Sequence, residues 1–450
     1  MASRWFRLLG ACTVLSLILG LTAIPTSAEP LSGESLPVPA TGQPGNQGDY
    51  PGVAKAIGQF QQQDYEASLA SLKKAVAAHP ELPPAQVIMA QFFFQSQQAA
   101  QARQMLELAV IEDPQDPEAY VVLGELALRE RRLTEASLLL KKALDLLPQL
   151  AQAQRKENLQ PRIYSGLSGV AETRGQWPVA QQYLETWLQR EPKNAVAMQR
   201  LARALFQQKK AREALDQLKA AAAADPAAIT PAAQFARFYQ QVGDEENARK
   251  WMEYALQVAP KDLKTRLVAA QWALETGQVD EAKKHATVAM DIDPKSLEAK
   301  LIRGVVGLFE SDYKTAELYF ESAHLQAPDN FAASNNLALA LAEQDDAPKR
   351  RRALEYAQAN ARQYSRMPEA LSTFGWVLYR AGRVEDAEKV LRQAAATGEM
   401  KADTAYYLAR VLVDRNQKDP ARQLLTSALA SDQPFAHRDD AKALLAELGG

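Results

Sequence analysis

The sequence predicts an all-α protein built from stacked antiparallel helix pairs, and three observations lead to that prediction. Ala, Leu, Gln, Glu, Lys and Arg dominate the 450 residues while β-branched residues are sparse, which is typical of helices. Prolines recur at an interval of 34 residues along most of the chain. Within each interval, apolar residues follow the three- and four-residue steps of a helix face. A period of this length indicates one helical unit repeated many times.

The repeat is clearest in the prolines that close its helices, and their spacing is almost constant. They are Pro80, Pro114, Pro148, Pro192, Pro226, Pro260, Pro294 and Pro328. Every spacing is 34 residues except the one from Pro148 to Pro192, which is 44. The fourth unit therefore carries ten additional residues, in "QLAQAQRKENLQ" before Pro161.

Residues 117–148 show how one unit is arranged. The first helix carries a stripe of large and small apolar residues, and the second carries the stripe that faces it. The first stripe is Tyr120, Leu123, Gly124 and Ala127, and the second is Ala136, Leu140 and Ala143. Because each helix is short, we expect it to be stable only when its stripe packs on its partner and on the next pair.

The unit resembles the tetratricopeptide repeat. The family's sequence positions 7 to 32 are filled in one unit by Leu201, Ala202, Leu205, Ala214, Leu218, Ala221 and Pro226, and in the next by Phe235, Ala236, Tyr239, Ala248, Met252, Ala255 and Pro260. The resemblance covers about residues 49 to 434. It implies a right-handed superhelical solenoid of about eleven units with a C-terminal capping helix, in which the first helix of each unit lines a concave groove.

The resemblance explains two glycines in "LSTFGWVLYRAGRVEDAEKVL". Gly375 corresponds to the small position 8 of its unit, where the two helices would cross closely and a side chain would clash. Gly382 falls in the turn between the helices, and Ala387 is the small position 20. We expect enlargement of Gly375 to cost about 1–3 kcal/mol through overpacking.

We divide the chain into four segments. Residues 1–28 are predicted to be a secretory signal peptide (or an N-terminal anchor), because Arg4 and Arg7 precede an apolar run that ends in small residues at Ala28. Residues 29–51 are rich in Pro, Gly and Ser and predict a flexible linker. The repeats follow over 52–434, and the capping helix over 435–450.

Two alternatives to a cleaved signal stay open. "LGAC" at 9–12 is similar to a bacterial lipoprotein box, which would make Cys12 the lipidated residue. The 17-residue apolar run from Leu8 to Ile24 is also near the lower limit for a retained membrane anchor. Cys12 is the only cysteine, so a cleaved chain would be held by packing without disulfides.

The sequence offers no recognisable chemistry, so we predict a protein that is not an enzyme and has no cofactor or metal. Ser168 in "GLSG" lacks the second glycine of a nucleophile elbow and fits the small position of its unit. The four histidines stand at no metal-ligand spacing. A net charge of −2 gives no sign of the basic surface that nucleic-acid-binding proteins need. A cryptic hydrolase is kept as a third possibility, although no residue is nominated for it.

One basic cluster, "PKRRR" at 348–352, has two interpretations. It is either a solvated turn that leads into the second helix of the ninth unit, or a contact for anionic lipid or an acidic partner. We favour the solvated turn.

Groove-facing positions of the first helices give the candidate partner-binding residues. They are Gln199, Arg203, Gln207, Arg237, Gln241, Gln271, Phe309, Asn335, Trp376, Tyr379 and Arg380. The earlier members are amides and guanidinium groups that suit hydrogen bonding to a peptide or a carboxylate, and the later ones include aromatic residues of the kind that anchor interfaces. The Lys and Asn clamp that chaperone-tail adaptors of this family use is missing from neighbouring units.

These features predict an exported, periplasmic or envelope-associated bacterial scaffold that binds protein partners, peptides or helices, in the concave groove. "LSTFGWVLYRAGRVEDA" is similar to C-terminal repeats of large bacterial envelope proteins of this family, some tied to exopolysaccharide export. The alternative is therefore a glycan-binding or exopolysaccharide-export accessory protein. We expect no nucleic-acid partner, and membrane contact only through an uncleaved N-terminal segment. The oligomeric state is left open.

Overall fold

The computed structural model describes residues 50–396, 400–431 and 433–449. The predicted signal peptide and almost all of the predicted linker lie outside the described residues. Every regular element in the described part of the chain is helical. The chain divides near Ala227 into an N-terminal and a C-terminal unit, each with its own internal packing.

The N-terminal unit, residues 50–227, contains ten α-helices among its described residues. They are α1 (Pro51–Gln61), α2 (Tyr65–Ala78), α3 (Ala85–Gln95), α4 (Ala99–Glu112), α5 (Pro117–Arg129), α6 (Leu133–Leu146), α7 (Ala153–Thr173), α8 (Trp177–Arg190), α9 (Ala195–Gln207) and α10 (Ala211–Ala224). A short 3₁₀ turn, Leu147–Gln149, follows α6.

The C-terminal unit, residues 228–449, contains thirteen α-helices among its described residues. They are α11 (Pro231–Gln241), α12 (Glu245–Val258), α13 (Leu263–Glu275), α14 (Val279–Ile292), α15 (Leu297–Phe309), α16 (Tyr313–Gln326), α17 (Phe331–Ala342), α18 (Ala347–Gln363), α19 (Pro368–Arg380), α20 (Val384–Ala396), α21 (Ala402–Asp414), α22 (Lys418–Leu429) and α23 (Arg438–Glu447).

Within each unit the helices pack in consecutive pairs, each pair on the next. The described residues form five pairs in the N-terminal unit and six in the C-terminal unit, and α23 packs on α22 at the end. This confirms the predicted all-α fold of about eleven helix pairs with a terminal helix. The first pair begins at Pro51 and the terminal helix at Arg438.

Small residues let the two helices of a pair approach closely. A Cβ atom on Gly375 would lie 2.5 Å from Cγ of the buried Leu391, and one on Gly304 would lie 2.4 Å from the Phe320 ring. Both separations are far below van der Waals contact, so these two positions need glycine for steric reasons. Ala387 is fully buried on the opposite helix, as its position in the repeat predicts.

The additional residues of the fourth unit are helical except for Leu150, Ala151 and Gln152. They form the 3₁₀ turn and the first two turns of α7, which runs for 21 residues with Pro161 inside it. Buried Leu159 holds this extension against the core, and Arg155 pairs with Asp116 and Glu118 of the preceding pair. The insertion therefore lengthens a first helix rather than a loop.

The basic cluster lies in the first turns of α18, and its cations pair with acidic residues. Nζ of Lys349 is 2.5 Å from Oε2 of Glu317, and Arg352 is 2.7 Å from Glu321, both on α16. These contacts link neighbouring helix pairs, so part of the cluster's charge is already neutralised. In the described part of the chain, none of the helices combines the length and the apolar character that a membrane span requires.

Candidate functional site

The predicted partner-binding residues fall on first helices of the pairs, and α9 carries three of them. Gln199, Arg203 and Gln207 are all partly buried on this helix. The Arg203 guanidinium carbon lies 5.8 Å from the centre of the Trp177 ring on α8, a cation–π contact that fixes the head group. On α9 of the N-terminal unit, the fixed guanidinium group of Arg203 therefore stands between two amide residues, Gln199 and Gln207, along the helix.

A second group surrounds Glu275 at the end of α13. Nε2 of Gln271 donates to Oε1 of Glu275 over 3.0 Å, and Nε2 of Gln240 on α11 donates to Oε2 over 2.5 Å. Burial raises the pKa of Glu275, and the nearby charge of Arg237 opposes this shift. Gln241, the last residue of α11, is partly buried. Two of the predicted residues, Arg237 and Gln271, thus act on one carboxylate that the sequence analysis did not select.

The described residues of the C-terminal unit enclose a cleft of about 100 Å³, here called the C-terminal cleft. Its walls come from first helices α15, α17, α19 and α21 and from the segment before α23. Residues that define it are Val305, Leu308, Phe309, Asn335, Leu339, Thr373, Met400, Tyr407, Phe435 and His437. The surface is mainly apolar with a few polar groups, which is the character of a site that binds by burial and takes its orientation from hydrogen bonds.

Two of the predicted residues line this cleft. Phe309 is partly buried at its apolar end. Asn335 is 6% exposed, and its Oδ1 atom has no hydrogen-bond donor among the described residues. A buried acceptor without a donor costs about 1–3 kcal/mol, so a rotation of this side chain into the cleft, where a ligand N–H group could donate to it, would restore a favourable interaction.

Two of the other three predicted residues, Trp376 and Arg380, contact Glu343, which follows α17. Nε1 of Trp376 donates to Oε1 of Glu343 over 2.5 Å, and Nη2 of Arg380 lies 3.6 Å from Oε2. The hydroxyl of Tyr379 donates to Asp414 over 2.9 Å. Trp376 is only 3% exposed because it is sandwiched between the rings of Tyr379 and Tyr407, with centroids 5.2 and 4.4 Å away. Trp376 is therefore part of an aromatic stack, and a partner cannot contact its ring directly.

A segment of the chain itself covers this stack. The crossing segment, Gln433–His437, joins α22 to α23 and forms part of the cleft wall. The His437 ring stacks on Tyr406 at 4.9 Å with an interplanar angle of 14°, and its Nε2 atom lies 3.7 Å from Glu343. Pro434, at the other end, is near the turn between α13 and α14, where a Cβ on Gly277 would lie 3.5 Å from its Cγ.

Burial strongly perturbs the ionisable groups beneath this segment. It raises the pKa of the Tyr407 phenol well above its ordinary value, with Asp403 and Glu343 adding to the shift. Burial also raises the pKa of the Asp403 carboxyl, although His437 and Lys401 oppose the change. Tyr407 is thus a neutral aromatic surface at physiological pH. Among the residues that the structure describes, no group of three or more His, Cys, Asp or Glu could hold a metal ion.

Sequence reasoning missed Glu275, Glu343 and the crossing segment. Both glutamates occupy position 13 of their units, one of the positions that the repeat pattern turns toward the groove, so the same rule applied to every unit would have found them. His437 offered no such signal, because it lies outside the repeats and its neighbours Trp376 and Tyr406 are distant in sequence.

Comparison with known proteins gives the following matches. Models of the family described as tetratricopeptide repeat match residues 59–126, 173–236 and 372–437. No curated protein matches the chain.

Solved structures also match, at low sequence identity. A tetratricopeptide repeat protein from Parabacteroides merdae is 14% identical over 65% of this chain and 100% of its own, with a TM-score of 0.33. Yeast Tom70 is 12% identical over 90% of this chain and 96% of its own, with a TM-score of 0.36. PilW, a type IV pilus biogenesis factor, is 20% identical over 49% of this chain and 97% of its own, with a TM-score of 0.38.

Proposed function

This chain is a tetratricopeptide-repeat protein, and we propose that it is a non-enzymatic scaffold of the bacterial cell envelope that holds partner peptides or helices against the first helices of its repeats. Repeats of this family support a role in protein–protein interaction. The envelope location and the binding face are the more specific parts of the proposal.

The C-terminal cleft is the main observation that supports the proposed binding face. It combines the apolar wall of Val305, Leu308 and Phe309 with the unmatched acceptor of Asn335. A peptide that inserts an apolar side chain gains about 25 cal/mol for each Å² of apolar surface removed from water. A backbone N–H of the same peptide can donate to Oδ1 of Asn335. This pairing suits a protein segment better than a sugar, which presents hydroxyl groups on most of its surface.

The envelope location is supported by the sequence of residues 1–28, which has the charged start, the apolar run and the small residues of an export signal. The single cysteine falls inside that run. An exported chain of this kind needs no disulfide chemistry, because its stability comes from contacts between neighbouring helix pairs.

Crosslinking in intact cells, followed by purification and mass spectrometry, tests the proposal. The test variant is Phe309→Ala with Asn335→Ala, and the matched control is Leu318→Ala with Leu325→Ala on the exposed side of α16. We expect a defined set of envelope proteins to be captured by the wild-type chain and the control. Capture by the test variant should fall at least tenfold, because hot-spot side chains contribute about 2 kcal/mol or more each.

Equal capture by both double variants would place the binding surface elsewhere. Recovery of polysaccharide in place of protein would contradict the scaffold proposal and favour glycan recognition. Circular dichroism of both variants separates loss of binding from loss of structure.

A further inference from the structure

One wall of the C-terminal cleft is a short non-helical piece of this chain that packs on other helices of the unit. The crossing segment, Gln433–His437, has no helical residues, yet Phe435 is 3% and His437 7% exposed. Its ends meet parts of the C-terminal unit that are far apart in sequence: Pro434 lies by Gly277, and His437 lies by Trp376 and Tyr406. A loop between two helices has no need to bury an aromatic ring and an imidazole on the face where partners are expected to bind.

The side chains of the crossing segment make the contacts that a bound peptide would make. His437 stacks on Tyr406, meets the Tyr407 ring edge-on and faces the carboxylate of Glu343. Phe435 is buried in the cleft wall, where the Arg438 guanidinium lies 5.9 Å from the centre of its ring. Aromatic and cationic anchors of this type dominate the energetics of protein interfaces.

The backbone of the segment, in contrast, makes only local hydrogen bonds, beginning with the N–H of Gln433, which donates to Oγ of Ser431 over 3.2 Å. The N–H of Arg438 donates to the carbonyl of Phe435 over 3.3 Å, and the N–H of Ala441 donates to the carbonyl of His437. The Arg438 guanidinium donates to the carbonyls of Leu429 and Ser431, both over 3.0 Å. These bonds are local to the α22–α23 connection. None of these hydrogen bonds of the described residues reaches α13–α21. The segment can therefore move away from these helices without breaking a helix or a backbone hydrogen bond to them.

We infer that the crossing segment occupies a peptide-binding site on the helices beneath it, beside the C-terminal cleft, and that this site binds an external peptide of the same chemistry by exchanging it for this segment. The external peptide carries an aromatic side chain at the place of Phe435 and an imidazole or cationic group that faces Glu343. This inference rests on the proposed function, to which it adds a partner class and a mode of regulation. A tethered occupant competes at an effective concentration on the order of millimolar, so it sets a threshold that a partner must exceed.

A peptide with the sequence of residues 431–438, labelled with a fluorophore, tests the exchange on the full-length chain. The test variant is Phe435→Ala with His437→Ala, which removes both anchors. The matched control is Gln433→Ala in the same segment, whose side chain does not line the cleft. Fluorescence anisotropy should show binding to the test variant at least tenfold tighter than to the wild-type chain or the control. A peptide with Phe435→Ala and His437→Ala should not bind any of them.

Equal binding of the unaltered peptide to all three chains, or no binding to a folded test variant, would overturn the inference. If the test variant does not fold, hydrogen exchange of the wild-type chain decides the question. Several millimolar of the peptide should then speed exchange of the amides of Arg438 and Ala441, which donate to the carbonyls of Phe435 and His437, whereas unchanged exchange would overturn the inference.

The same variants separate this inference from the proposed function. Partner capture that depends on Phe309 and Asn335 but does not increase in the Phe435→Ala, His437→Ala variant leaves the proposed function intact and overturns the exchange. Capture that increases in this variant supports both.

Discussion

At the scale of single residues, a few atoms decide how closely two helices pack. Gly375 lies against Leu391, which is fully buried and cannot move aside. Gly58 lies inside α1, where an added Cβ would meet nothing within 4 Å. The same substitution, glycine to alanine in a helix, should therefore have opposite effects at the two positions.

We predict that Gly375→Ala lowers the free energy of unfolding by up to about 2 kcal/mol, because overpacking costs more than the helix propensity that alanine adds. Gly58→Ala should raise it by up to about 1 kcal/mol. Urea unfolding monitored by circular dichroism measures both. An equal effect of the two substitutions would contradict the close crossing of α19 and α20.

Buried His285 makes the stability of the C-terminal unit depend on pH. Its Nδ1 atom lies 3.0 Å from Nη1 of Arg266, so the guanidinium donates to a neutral imidazole. Burial lowers the pKa of His285, and the charges of Arg266 and Lys284 act in the same direction while Glu281 opposes them. In the unfolded chain the pKa returns to about 6.5, so the unfolded state binds more protons between the two pKa values.

It follows that the contribution of neutral His285 to the free energy of unfolding is fully present above about pH 7. This contribution is lost as the pH falls through the folded-state pKa, with a slope of at most about 1.4 kcal/mol per pH unit. His285→Gln should flatten the dependence of the melting temperature on pH between about 7.5 and 5.5. The control is His79→Gln, because the His79 side chain is 40% exposed. An unchanged pH profile in His285→Gln would show that another group carries the dependence.

At the scale of elements, the extension of α7 depends on one buried cluster of charges. Arg155 donates to Asp116 over 2.7 and 2.8 Å and to Glu118 over 2.8 and 3.0 Å. All three side chains are about nine-tenths buried or more. The cluster anchors the first turns of α7 to the start of α5, so the inserted residues stay helical.

Removal of Arg155 should leave two buried carboxylates without their cation. We predict that Arg155→Met lowers the free energy of unfolding by about 3–5 kcal/mol, and that adding Glu118→Gln restores part of the loss. Lys73→Met breaks the exposed pair with Glu112 and should cost less than about 1 kcal/mol. Similar losses at the two sites, measured by urea unfolding, would contradict the importance of burial.

The elements that could be predicted from the sequence are those governed by the repeat. Gly375 and Ala387 have the positions that the 34-residue pattern assigns to them, and the helix pairs follow. The helical form of the inserted residues before Pro161 was not predicted, because proline within a helix argues against it and the stabilising partners, Asp116 and Glu118, are distant in sequence. The partner-binding list is still a prediction, but the burial of Trp376 could not be foreseen, since it depends on stacking with Tyr407 of the next helix pair, which is distant in sequence.

At the scale of the whole molecule, cleavage or retention of residues 1–28 determines where in the cell the repeats are located. We predict that the mature protein begins at Glu29, because Ala28 ends the small-residue pattern of a cleavage site. Mass spectrometry of the protein purified from the envelope fraction measures this terminus directly. Ala28→Tyr should block cleavage and leave the precursor attached to the membrane.

Two results would contradict cleavage after Ala28. A lipid found on Cys12 would assign the segment to the lipoprotein class, and a full-length chain in the membrane fraction would make it a retained anchor. In either case the repeats would stay tethered to the membrane instead of diffusing in the periplasm.

The contact of Leu140 with two glycines constrains how this protein can change over generations. Cβ atoms on Gly124 of α5 and on Gly166 of α7 would each lie 2.7 Å from the Leu140 side chain on α6. One leucine thus sets the permitted size of a residue in its own repeat and of another in the next repeat. A mutation to a larger residue at either glycine becomes acceptable only after Leu140 has become smaller, and loss of the leucine removes the constraint on both. Neighbouring repeats therefore cannot diverge independently, and their order along the chain is preserved by this mutual dependence.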